Sequence, residues 1–402
     1  MSAGAWTLRA ATAAVALLLA YEIVTISVAA RALAGGRSGA AVSLRPNFAL
    51  AAENAAHEAL SSGDTARAAL LAADAVRGSP LDQAATSELA LARETQHRLG
   101  EEAGMMKAAG ELGWRDPAVQ LWTIKAALIE NAPDVAVTRA DAMLRQGTEP
   151  DRMLRLMRVL SRSPGGFSTL VERLSERPNW RPAYLDSLAG LTPADYPVHA
   201  HLLLALKHGE GPPSREEIGV FVGRLVSEQR YVEARRLWTQ LTGGADPNNL
   251  IGDPKFASLL AAEPSPSPFE WTNYSAPDVE IGSAPSSGDR RGAVLSIAIS
   301  GSGARRVIGQ TLVLAPGQYV LRFGWHKDAS DGSLKWAVSC TGGAEVPLTP
   351  ESGRGSAPEA AKVWTLSVPA GCPSQQLVLW ADKSTPDRAE FQLGSPTLEA
   401  NR

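Results

Sequence analysis

Phe48 to Pro80 reads FALAAENAAHEALSSGDTARAALLAADAVRGSP, and this stretch decides the fold of the first part of the body. Apolar residues recur at three- and four-residue spacing on each side of Ser62-Gly63-Asp64, the pattern of two amphipathic helices. Gly63 can close the first helix, and the Asp64 carboxylate can cap the second. Glycine and then proline at Gly78 and Pro80 end the pair. Alanines on the facing sides let the two helices approach closely.

Working outward, similar helical patterns are expected at about 81–98, 101–112, 117–130, 133–146, 151–160, 167–176, 194–208, 214–228 and 231–241. The stretch VSEQRYVEARRLWTQLTGG repeats the helix–turn–helix logic, with Tyr231 and Ala234 as packing residues. Tyr231 and Trp238 fall on one stripe, while Arg235 and Arg236 read as surface cover or the edge of a partner groove. Trp114, Trp122, Trp180 and Trp238 are expected to pack between helices. The first pair resembles a tetratricopeptide repeat: Ala59-Leu60, Gly63-Asp64, Ala68-Ala69 and Ala72 sit where that family places small and apolar residues. The resemblance implies an array, residues 47–260, whose repeats stack and present a binding surface.

Residues 242–268 are rich in turn formers, and EPSPSPF reads as a short stiff linker over 261–268. From Phe269 the period changes to two. Strands are expected at 294–300, 311–325, 334–340, 362–369, 375–382 and 391–394, with Pro316-Gly317 as a tight turn. Short strands with glycine-rich joins indicate an all-β antiparallel sandwich over 269–402.

At the other end, Ala10 to Ala30 is an almost unbroken apolar run, AATAAVALLLAYEIVTISVAA, long enough to span a bilayer as a helix. Two readings of residues 1–34 stand: a retained transmembrane anchor, or a secretory signal cleaved after Ala32-Leu33-Ala34. Glu22 would cost ~3 kcal/mol at mid-bilayer and is read as a neutralised acid or an interhelix contact. Arg9 on one side against Arg31, Arg37 and Arg45 on the other would, taken alone, keep the body inside. The cysteines argue the opposite. The chain has two, Cys340 and Cys372, both among the strands. Such a pair behind an export segment points to a disulfide in an oxidising compartment, with two buried free thiols as the alternative.

The net charge is −3, and no basic block resembles a nucleic-acid footprint. His199 and His201 are two apart on an expected helix and diverge, so they make a poor metal pair. No Gly-x-Ser-x-Gly elbow, Walker loop or His-Glu-x-x-His motif is present. No cofactor, metal or catalytic residue is assigned. Tryptophan is the sharper signal. Trp336, Trp364 and Trp380 alternate with aliphatics and read as core. Trp325 opens the polar loop Trp325-His326-Lys327-Asp328-Ala329-Ser330-Asp331, a candidate glycan or partner contact through Trp325, His326, Asp328 and Asp331. Trp271, beside Glu270 and Asn273, is a second candidate.

The strand region resembles jelly-roll modules of the carbohydrate-binding type, through Phe269-Glu270-Trp271, the run Gln310 to Tyr319, and Trp336. With Trp114 to Trp122 it is similar to repeat proteins encoded by exopolysaccharide-producing alphaproteobacteria. That resemblance implies an envelope protein associated with polysaccharide synthesis or export. The expected protein is a multidomain, single-pass inner-membrane scaffold or adaptor with its bulk in the periplasm, and not an enzyme. Its partners would be another envelope protein and, through the sandwich, polysaccharide. An exported polysaccharide-processing enzyme or accessory subunit, and a purely structural oligomeric component of an export assembly, are the alternatives.

Overall fold

The computed structural model describes residues 3–95, 101–188, 190–243, 249–274, 277–284, 294–324, 334–350, 362–383 and 387–401. The chain divides into two compact units, Met1–Trp180 and Arg181–Arg402. The expected order holds: an apolar helix, a helical array, then antiparallel sheets.

The first unit contains α1 (Ala3–Ala34), α2 (Ser38–Leu44), α3 (Ala49–Ser61), α4 (Thr65–Gly78), α5 (Gln83–Thr95), α6 (Glu101–Leu112), α7 (Pro117–Ile129), α8 (Pro133–Arg145), α9 (Pro150–Leu160) and α10 (Pro164–Ser175). The turn between α3 and α4 forms as its residues dictate. Gly63 takes a φ of +83°, open to glycine without strain, and the Asp64 carboxylate accepts from the Arg67 N–H at 3.1 Å. Alanines then build the stack in layers. Ala52, Ala75 and Ala85 meet, then Ala56, Ala72 and Leu89, then Ala59, Ala68 and Ala92. Each layer takes one residue from α3, α4 and α5, so small side chains set a close spacing between all three helices. Later helices reuse the capping device. Asp116 caps α7 and Ser163 caps α10, each followed by proline at the first helical position. Trp180 is buried, and its indole N–H donates to Asp141 Oδ1 at 2.8 Å. Trp114 differs from expectation: it is 44% exposed, and the Arg139 guanidinium covers its ring at 4.0 Å.

Helix α1 is long and apolar enough to cross a membrane over Ala11–Ala34. Its last turns are not free. Ala29 and Ala32 pack against Ala41 of α2 and Ala51 of α3. Glu22 on α1 accepts a hydrogen bond from the guanidinium of Arg45, which follows α2.

Glu88 on α5 is buried, with Oε1 3.1 Å from His57 Nδ1. Burial, then the charges of Glu53, Asp116 and Asp82, push its pKa up to about 8 from an ordinary 4.5. Between those values the folded chain holds a proton that the unfolded chain releases. The stability tied to Glu88 is therefore complete below about pH 4.5 and is lost as pH rises towards 8. Glu88→Gln should remove this component. The check is the unfolding temperature at pH 5 and pH 8: the native chain should lose more stability across that interval than the variant.

The second unit opens with α11 (Arg181–Leu185), α12 (Tyr196–Lys207), α13 (Arg215–Ser227), α14 (Tyr231–Thr242) and the short α15 (Ala257–Leu260). Ser214 and Glu217 close a reciprocal capping box at the start of α13. His199 packs on Phe221 with ring centres 4.6 Å apart, and His201 faces outward. The strands are β1 (Thr272–Asn273), β2 (Val279–Ala284), β3 (Val294–Ile299), β4 (Gly303–Leu312), β5 (Gly317–Phe323), β6 (Leu334–Cys340), β7 (Glu345–Val346), β8 (Leu348–Pro350), β9 (Lys362–Val368), β10 (Gln375–Lys383), β11 (Ala389–Gly394) and β12 (Thr397–Ala400). They form sheets β1-β4-β10-β6-β7, β11-β3-β2 and β12-β5-β9-β8. One core joins all three, with Leu377, Leu379, Ile308, Trp336, Ile297, Phe323, Leu366, Phe391 and Leu398 among its members. Cys340 ends β6 and is bonded to Cys372, with S–S 2.08 Å and Cα atoms 5.4 Å apart. The bridge ties β6 to the approach of its neighbour β10, where Gln375 faces Cys340.

The segment read as a turn-rich boundary and linker is stitched into this unit. The Asn249 side-chain carbonyl accepts from Ile251 and Leu398 N–H, and its amide donates to the Pro396 carbonyl. Ile251 and Phe256 enter the sandwich core. Pro266 lies so close to Gly219 of α13 that a Cβ there would come within 2.5 Å of it. The prolines stiffen a packed seam, not a spacer.

Candidate functional site

That seam, with the last two long helices, encloses a cavity of about 660 Å³, within the ~300–1,000 Å³ range of small ligand sites. Helix α13 brings Arg215 and Glu216. Helix α14 brings Arg235, Trp238, Thr239 and Thr242. The seam supplies Gly252 to Lys255, Ala257, Ser258, Glu263 to Pro266, Phe269 and Glu270 as the facing wall. Three contacts hold that wall. The Gln310 side chain from β4 pairs with both backbone groups of Gly252, accepting at 3.0 Å and donating at 2.6 Å. The Asp253 carboxylate accepts from the Ala257 and Ser258 N–H groups at the start of α15. The Trp271 indole N–H donates to the Asp253 carbonyl at 2.9 Å. Gly252 is required here, because a Cβ would lie 2.2 Å from the Phe269 carbonyl oxygen.

Two arginines are held by the facing wall. Arg215 donates to Glu270 and lies over the Trp238 ring at 5.0 Å. Arg235 donates to the Phe269 carbonyl at 3.2 Å; burial lowers its pKa, with the Glu270 charge acting against that. A side-chain hydrogen bond with Ser214 holds the Glu216 carboxyl below the ordinary range. Glu270 faces the Arg215 guanidinium, while Glu216 sits in the first turn of α13. The wall presents Arg215, Glu216, Lys255 and Glu263 beside Pro254, Pro264 and Pro266, a surface that can take a ligand carrying charge of both signs.

The sequence candidates fall around this site unevenly. Trp271 is 2% exposed and stacks among Phe256 and Trp336 behind the cavity wall, so its ring faces core and not solvent. Trp325, His326, Asp328 and Asp331 lie outside the described residues. Arg235, which reads from sequence as surface cover or the edge of a partner groove, lines the cavity. Arg215, Asp253 and Lys255 were missed. The seam's turn formers announce a loop but not which helix it will cover.

Trp380 is a further difference. Its alternation with Val378 predicts core, but on β10 the core side belongs to Leu377, Leu379 and Ala381. Trp380 is half-buried on the opposite face, between Arg306 of β4 and Lys335 of β6. Arg306 covers the Tyr274 ring at 4.5 Å on the same side. Tyr274 reaches there because Gly309 leaves room; a Cβ at 309 would come within 2.7 Å of the Tyr274 hydroxyl. Trp380, Arg306, Tyr274 and Lys335 thus make an aromatic and cationic sheet face.

No known protein family matches the chain, and no curated protein matches it.

Proposed function

We propose that the protein is a membrane-tethered envelope adaptor without catalytic activity, acting in polysaccharide synthesis or export. The helical array docks another envelope protein. The cavity beside α14 receives an extended segment of that partner, and the sandwich touches glycan. The observation that carries the adaptor reading is the cavity itself, lined by charged side chains, the Arg215–Glu270 pair among them, and by hydroxyls. The joined cysteines favour a body in an oxidising compartment, hence the periplasm. The glycan part draws on the Trp380 face, since an aromatic ring stacks on the apolar side of a sugar while Arg306 and Lys335 bond its hydroxyls.

Crosslinking and mass spectrometry of the full chain in its native membrane tests the adaptor reading. Crosslinks from Lys255 to one recurrent envelope protein are expected. Crosslinks confined to copies of the same chain would contradict it and support a structural oligomer. For glycan, affinity electrophoresis of the full chain in exopolysaccharide should show retardation that Trp380→Ala or Trp325→Ala reduces. Equal mobility with and without polysaccharide would remove the glycan from the proposal.

A further inference from the structure

The pairing of Glu22 with Arg45 bears on where the bilayer meets the protein, given that α1 is the anchor. Composition alone would put Ala11–Ala34 in the membrane. The chain after α1 does not permit that. It turns at Gly35-Gly36, α2 packs alongside the end of α1, and the Arg45 guanidinium reaches Glu22. Residues 45–48 are non-helical, with a turn through Pro46-Asn47. Irregular backbone exposed to lipid is not tolerated in the hydrocarbon region, because its polar groups go unsatisfied. The level of Glu22 and Arg45 is therefore at the edge of the hydrocarbon or beyond it.

The helix lengths fit this placement. Ala3 to Tyr21 covers about 28 Å at 1.5 Å per residue, close to the ~30 Å hydrocarbon thickness; this placement draws Arg9 about 9 Å inside the span, at a cost of at most ~3 kcal/mol. Val15, Leu17, Leu18, Leu19 and Tyr21 are each more than half exposed, as lipid-facing residues must be. Tyr21 takes the position where aromatic residues favour the membrane interface. Beyond Glu22, the exposed Ile23, Val24, Ile26 and Val28 run on for about 9 Å. That approximates one headgroup layer, roughly 5–8 Å. Leu44, beside Arg45, is also exposed, at 45%.

We propose that the Glu22–Arg45 pair marks the lipid–water boundary, and that Ile23 to Val28 with Leu44 form a collar seated in the phospholipid headgroup layer. The collar fixes the helical array close against the membrane; the anchor is no loose tether.

Environment-sensitive labelling tests this. The only cysteines in the sequence, Cys340 and Cys372, are joined, so single cysteines can be placed cleanly in the full chain. Leu18→Cys, Leu44→Cys and Leu70→Cys would each carry a nitrobenzoxadiazole probe in phosphatidylcholine–phosphatidylglycerol vesicles. Leu70, 71% exposed on α4, reports water. The expected result is quenching at position 18 by acyl-chain spin labels, at position 44 by headgroup spin labels, and at position 70 by neither. Arg45→Glu should move the position-44 signal towards that of position 70, and Glu22→Arg with Arg45→Glu should restore it. A position-44 probe that matches position 70, with position 18 still in lipid, would overturn the collar and leave the anchor standing. Position 44 as deep as position 18 would overturn the boundary. Position 18 in water would overturn the anchor reading, and the collar with it.

Discussion

Glu217→Ala should lower the unfolding temperature of the Arg181–Arg402 unit by about 10 °C or more. Arg181 is 2% exposed, and its guanidinium grips both Glu217 oxygens at 2.8 Å while donating to the Gly211 carbonyl at 2.9 Å. Removing one partner of a buried pair costs roughly 3–5 kcal/mol, since the remaining charge stays out of water without its counter-charge. The same carboxylate accepts from the Ser214 N–H in the capping box, so the start of α13 loses a cap as well. Tryptophan fluorescence during thermal unfolding is the measurement. The double variant Arg181→Met with Glu217→Leu should cost less than Glu217→Ala, because it removes the stranded charge as well as its partner. A double variant worse than the single would mean that the interaction contributes through packing and not through charge.

Replacing Cys340 and Cys372 by serine should cost the same unit about 3–4 kcal/mol, from the entropy that loop closure removes from the unfolded chain. The loop spans a sequence separation of 32 and joins the ends of paired strands β6 and β10. Urea unfolding should show the native chain falling to the serine variant's midpoint once reductant is added. The variant itself should not respond to reductant. A native chain indifferent to reductant would mean that the thiols are not joined.

What the sequence made legible follows from periodicity. The α3–α4 pair was readable because Gly63 and Asp64 have one conformational use each, and because alanine recurs at helical spacing. The strands over 294–299, 317–323, 334–340 and 362–368 were readable from alternation. The first part of β4 was not. Arg305, Arg306 and Gly309 break its pattern, and the pairing with β10 shifts register between Leu379 and Trp380. On β10, both faces carry large apolar residues, so alternation cannot choose which one turns inward, and Trp380 was assigned to the wrong side. The site was less legible still. Its far wall is a segment whose glycines and prolines signal turns whether it spans open solvent or packs against a helix. Partners such as Arg215 and Glu270, or Glu22 and Arg45, are distant in sequence and carry no local spacing signal.

The central claim is that the apolar helix holds an exported body at the membrane. Its most direct test is thiol trapping in intact cells that express the full chain. Rapid acid quenching, denaturation and alkylation with a polyethylene-glycol maleimide should give a single unshifted band, and added external protease should reach the body once the outer envelope is opened. Two maleimide additions per chain, with a body protected until the inner membrane is dissolved, would place it in the reducing interior and contradict the account.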